Sequence, residues 1–188
     1  MSNIHARFLP LYQSLNAISS LSNEDWSHFE EYLSEVVLNR GELFLSAGDE
    51  VIKVALVLEG QLRTYYLDEK GEEFVKNFSK PMELISDYSA AIRKVPSELF
   101  LDALEDTRMI AFDYRHLENL YDRFPAWQRL GRKIAERYYL VRERHARDLL
   151  LHDATVRYQL FYTQFPHLVG KVSQKYIAQY LGISEVSL

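Results

Sequence analysis

Not one of the 188 residues is cysteine. That absence removes disulfides, thiolate zinc sites, cysteine nucleophiles and cysteine-ligated iron–sulfur clusters, and it fits a reducing cytoplasm. Long apolar runs are missing too. Nothing approaches the ~20 residues that span a bilayer, so a soluble protein with no membrane partner is expected. The opening MSNIHARFLPLYQSL lacks the apolar core and small-residue cleavage site of a signal peptide. Positive charge is short as well. With a net charge of −5, any nucleic-acid contact must come from a local patch. The chain holds no phosphate-cradling G-x-x-x-x-G-K, no dinucleotide G-x-G-x-x-G and no G-x-S-x-G elbow. Its six histidines show no H-x-x-x-H spacing, and no carboxylate completes a site around His145 and His152. Neither a metal site nor an enzymatic activity is expected.

What is present is a folding composition: 47% hydrophobic, 26% charged, with 13 Tyr, 10 Phe, Trp26 and Trp127. Such a chain buries one sizeable core, or one large and one small. Residues 21–37 predict a helix, with Ser22 as cap, Asp25 completing a capping box, and Leu21 stapled to Trp26. Its buried face would be Trp26, Phe29, Leu33 and Val36. From Arg40 to Tyr114 the pattern changes to short β-branched and aromatic runs broken at Gly48-Asp49, Glu59-Gly60 and Glu69-Lys70-Gly71. This predicts antiparallel strands in a sandwich or barrel, with a hairpin tip at Asp68–Gly71. Asp113 can cap a following helix, and Pro125 suits the first turn of a long one reaching about Leu151.

Along that long helix Leu130, Ile134, Tyr138, Val141, His145 and Leu149 recur at 3–4 spacing, a narrow seam that predicts a helix pairing with a second copy. The competing reading is a helix laid on its own barrel. Next comes an amphipathic segment, residues 153–165, capped by Asp153 with Val156, Leu160 and Phe161 inward. Pro166 ends it, and HLVGKV is a linker or short strand. The terminal KVSQKYIAQYLGISEVSL then has the spacing of a helix-turn-helix. Ala178 is small where two helices would meet, Gly182 permits a positive φ in the turn, Ser184 would cap the second helix, and Ile177, Leu181 and Leu188 would face inward. Gln174, Ser184, Glu185, Val186 and Ser187 are the candidate DNA-contacting residues. The motif ordinarily runs past Leu188, so the sequence is expected to be part of a longer chain.

RGELFLSAGDE (Arg40 to Glu50), LEGQLRTYY (Leu58 to Tyr66) and QKYIAQYLGIS, in that order, resemble the Crp/Fnr family of bacterial transcription regulators. The resemblance implies an α+β protein: an antiparallel β-roll or jelly roll with flanking helices, a dimerisation helix and a winged helix-turn-helix truncated at the chain end. The corresponding boundaries are 1–125, 126–151 and 152–188. It also implies a phosphate-binding cassette, Gly-Glu before a short helix and Arg-Ser after it, that grips a cyclic nucleotide through backbone N–H groups and the arginine. Here PMELISDYSAAIRKVPSELF aligns Ser86-Asp87 with Gly-Glu and Pro96-Ser97 with Arg-Ser. Proline supplies neither charge nor N–H. Losing a charge-assisted contact of about 1.5–3 kcal/mol weakens cyclic AMP binding at least ten- to hundredfold, so no cofactor is expected. Ser86, Asp87, Tyr88, Arg93 and Ser97 then line a degenerate pocket, empty, filled by Tyr88, or adapted to another small effector. The expected function is DNA-binding transcription regulation as a homodimer. The alternatives are a ligand-less dimerisation or docking module, and a true cyclic-nucleotide sensor with Arg93 as a displaced anchor.

Overall fold

A computed structural model describes residues 4–50 and 52–184. After a 3-10 turn at Ala6–Phe8, helix α1 (Leu9–Ile18) and helix α2 (Asn23–Glu30) open the chain. The capping box of α2 forms as expected, with Ser22 accepting from the Asp25 amide and the Asp25 carboxylate accepting from the Ser22 amide. The single helix expected over 21–37 does not. It stops at Glu30, and strand β1 (Ser34–Leu38) follows. The β-branched pair Val36-Val37 takes the extended backbone it prefers, because a partner strand lies beside it.

The strands are β1, β2 (Leu43–Leu45), β3 (Lys53–Glu59), β4 (Leu62–Leu67), β5 (Glu73–Phe78), β6 (Leu84–Ile85), β7 (Phe100–Ala103) and β8 (Thr107–Asp113). They form two four-stranded antiparallel sheets, ordered β1-β8-β3-β6 and β2-β7-β4-β5. Leu45, Val57, Leu62, Leu101 and Met109 come from both sheets and pack together, so the sheets face one another across a shared core. The β4–β5 hairpin turns where expected. Asp68 Oδ1 accepts from the amides of Lys70 and Glu72, and Gly71 takes φ +80°.

β3 explains the second core. Its run Val54–Val57 is buried throughout, Ala55 and Val57 facing the other sheet while Val54 and Leu56 face helices. On that helical side lie α1, α2, the six-residue α3 (Tyr88–Arg93), α4 (Tyr114–Arg123) and the start of the 27-residue α5 (Pro125–Leu151). Asp113 caps α4 and Pro125 opens α5, both as expected.

A third cluster joins the outer side of β5 to α6 (Ala154–Gln164) and α7 (Gln174–Leu181) through Val75, Phe78, Phe161, Phe165, Ile177 and Tyr180. Asp153 caps α6 as expected, but Leu160 is exposed and Phe165 takes the inward place. HLVGKV is no strand; a 3-10 turn fills Pro166–Leu168.

Candidate functional site: cassette, long helix and terminal turn

Ser86 and Asp87 leave β6 and enter α3 as the cassette alignment requires, but their polar groups turn inward. Asp87 caps α3, Oδ1 accepting from the Ala90 amide at 3.2 Å. Its Oδ2 accepts from Ser97 Oγ at 3.1 Å and from the Glu98 amide at 3.3 Å, and the residue is 3% exposed. Ser97 is also buried, and its Oγ accepts from the Leu99 amide at 3.2 Å. Asp87 and Ser97 are therefore brought together, yet they satisfy each other and the loop. Ser86 Oγ donates to the Lys53 carbonyl. Tyr88 packs edge-on against Tyr114 and Tyr138. Arg93 is on the surface, paired with Glu98 at 3.0 Å, which leaves its guanidinium out of the Asp87–Ser97 group. Arg93 as a preorganised displaced anchor is not what the geometry gives.

Beside the cassette, a cleft of about 490 Å³ opens between α1, the β4–β5 strands and α5. Lys76, Asn77, Glu83, Arg137, Tyr138 and Arg142 line it. Burial lifts the Glu83 carboxyl above the usual carboxylate range, against its bond from the Lys80 amide and the cations Lys80 and Arg142. Of the residues the sequence singles out, Ser86 and, from the stripe on α5, Ile134, Tyr138 and Val141 line this cleft, whereas Lys76, Asn77 and Glu83 come from other elements and no local signal marks them.

The seam expected on α5 divides into two parts. Leu130 is 1% exposed and, with Trp127, sits in the helical core; Ile134 packs on the same core. Tyr138 meets Tyr88. For Leu130 the own-barrel reading is correct, because the sheet and α4 already cover that face. Val141, in contrast, is 50% exposed, and Tyr139, Leu140, Leu150 and Leu151 are exposed apolar neighbours. His145 is half-buried, with Nδ1 3.3 Å from Tyr180 Oη, tying α5 to α7.

α7 is capped by Ser173, whose Oγ accepts from the Tyr176 amide, a cap the sequence reading passed over. It ends at Gly182 with φ +65°, ψ +38°. The Gly182 amide donates to the Gln179 carbonyl and the Ile183 amide to that of Ala178, the paired bonds that close a helix on a left-handed residue. Ile177, Ala178 and Leu181 are buried, while Gln174 and Ser184 are exposed. Glu185, Val186, Ser187 and Leu188 lie outside the described residues. No helix among the described residues is long and apolar enough to cross a membrane.

Facing antiparallel sheets, a short helix at the cassette position, and a long helix leading to a capped, glycine-terminated one define the cyclic-nucleotide-binding type of fold. No family model matches the chain. A stretch of 119 residues is 27% identical to the transcriptional activator Anr of Pseudomonas aeruginosa, covering 63% of this chain and 48% of Anr. The chain thus spans about half the length of that curated relative. Among solved structures, a Crp/Fnr-family regulator from Eubacterium rectale superposes with a TM-score of 0.69 at 19% identity over 89% of this chain and 80% of its own. FixK2 from Bradyrhizobium japonicum gives 0.65 at 18% over 82% and 80%. The catabolite activator protein of Thermus thermophilus gives 0.55 at 20% over 93% and 82%. The fold is theirs, and over that 119-residue stretch the sequence is similar to Anr.

Proposed function

We propose that the chain works in a homodimeric, cytoplasmic, DNA-binding transcription regulator that does not respond to cyclic AMP. The observation that carries the last clause is the inward closure of the cassette. Asp87 and Ser97 bond to each other and to the loop, Pro96 stands where an arginine is needed, and Arg93 pairs with Glu98. A cyclic phosphate would meet no buried cation there. DNA binding is supported by α7 and its left-handed stop, which match the first helix and turn of a helix-turn-helix. Gln174, Ser184 and residues 185–187 would approach the groove. Dimerisation is supported by the exposed apolar stretch Tyr139–Val141 on α5.

The cleft lined by Lys76, Arg137 and Arg142 favours a small effector of another kind, since its cations are not committed to the cassette. Calorimetric titration with cyclic AMP should give no binding tighter than about 1 mM, weaker than −4 kcal/mol. Micromolar binding abolished by Arg93→Ala would restore the displaced-anchor reading.

A further inference from the structure

The C-terminal helices are seated against the outer side of the β4–β5 sheet, and the seating is specific. Register in β5 slips by one residue at Lys76, where Thr64 pairs with Asn77 but Tyr65 pairs with Val75. In a regular strand Val75 and Phe78 would point to opposite faces; the bulge puts both against α6 and α7. Phe78 is fully buried among Phe161, Phe165 and Tyr180, with ring centroids 5.8, 5.9 and 5.8 Å away.

One cross-strand neighbour of Phe78 is Arg63. Its guanidinium is held in the sheet by Asp102 (3.0 and 2.8 Å) and Glu73 (2.6 and 3.3 Å). It is stacked between two rings, Tyr65 of the sheet and Tyr176 of α7, each centroid 4.1 Å from Cζ. His167 to the Ser79 carbonyl and Lys171 to Glu105 flank the contact. Seated this way, α7 lies across a groove from the hairpin tip, with Glu72, Glu73 and Phe74 on one wall and Lys175, Tyr176 and Gln179 on the other. Glu69 is exposed at the same hairpin tip.

We infer that this seating is an autoinhibitory latch: Tyr176 stacked on Arg63 holds α7 beside an acidic hairpin that keeps a nucleic-acid backbone away, and opening the stack releases the C-terminal helices for DNA. The inference rests on reading α7 as the first helix of a DNA-binding element. That helix crosses the phosphate backbone, and a phosphate brought to Lys175 would face the carboxylates of the opposite wall across the groove, with a repulsion that salt screens only beyond ~8–10 Å. The latch can open without leaving a buried charge unpaired. Arg63 keeps both carboxylates when Tyr176 leaves, and what is given up is the stack, the apolar contact around Val75 and Phe78, the His167–Ser79 contact and the exposed Lys171–Glu105 pair.

The cysteine-free chain allows a clean test. Spin labels on Glu69→Cys and Gln159→Cys, both exposed and outside the contact, should report one narrow distance. Tyr176→Ala should broaden and lengthen it, and Tyr176→Phe should restore it. In parallel, Glu69→Lys with Glu72→Lys, surface changes that do not touch the core, should tighten binding of a labelled mixed-sequence duplex about tenfold at low salt. Tyr176→Ala should tighten it in the same direction. A label distance unmoved by Tyr176→Ala, or duplex binding unchanged in both variants while the parent binds, overturns the latch. If the labels separate but neither the parent nor any variant binds duplex, the DNA-binding reading fails and autoinhibition falls with it, leaving a docking contact alone.

Discussion

His145 stands where α5 meets α7, half-buried, and its imidazole is harder to protonate than an exposed one. Burial is the main cause, Arg142 and Arg157 add to it, and Asp148 opposes them. A base whose folded pKa is depressed takes up its proton more readily once unfolded. Stability is therefore intact above the ordinary histidine value near 6.5 and is lost as pH falls from there through the lowered folded value. Melting temperatures should drop between pH 7.5 and 5.5 by more in the parent than in His145→Gln. Equal slopes in the two proteins would show that the Tyr180 contact carries no proton linkage. Arg63 raises a different question at the same scale. Despite the burial that disfavours its charge, the bonds to Asp102 and Glu73 raise its pKa, so it is a fixed cation. Arg63→Met keeps much of the volume but strands two carboxylates that are largely shielded from water. The expected loss is about 3 kcal/mol in urea unfolding, whereas Glu73→Gln, at the more exposed partner, should cost clearly less.

Among elements, those whose cause is local were legible in the sequence. Ser22, Asp113 and Asp153 cap helices because a side-chain oxygen two or three residues from a free amide is all the chemistry needs. Gly182 belongs to the same group: Gly182→Ala puts a Cβ into the left-handed region and should cost about 1 kcal/mol, readable as a lower melting temperature with faster amide exchange at Ile183. Elements decided by distant partners were not legible. Leu33 and Val36 continue a helical spacing, yet the helix stops at Glu30 and β8 captures Val36 as strand, and no local residue announces that pairing. Neither the bulge at Lys76 nor the Arg63–Tyr176 stack leaves a trace in spacing: the first is a slip of register inside the β4–β5 hairpin, and the second joins segments far apart in the chain. The cassette lies between these cases. Its missing arginine is visible as Pro96, but the Asp87–Ser97 bond that closes it requires the fold.

At the scale of the whole molecule the long helix must answer to two surfaces, and a buried stripe reads the same whichever surface buries it. The structure separates them. Around Trp127 and Leu130 the helix is a core element of its own chain, while Tyr139, Leu140 and Val141 further along are exposed. A symmetric dimer would use that second part twice, residue against symmetry-related residue, so one substitution acts in both protomers. Val141→Asp places a carboxylate in each half of the seam, and burying the two without partners costs several kcal/mol, enough to disfavour a moderate dimer at micromolar concentration. In sedimentation the parent should run as a dimer and Val141→Asp as a folded monomer with unchanged far-ultraviolet circular dichroism. Leu130→Asp should behave differently, unfolding the chain rather than dissociating it, because Leu130 has no surface to give up. If Val141→Asp sediments with the parent, the exposed stretch of α5 is not the contact, and the second copy sits elsewhere or does not form.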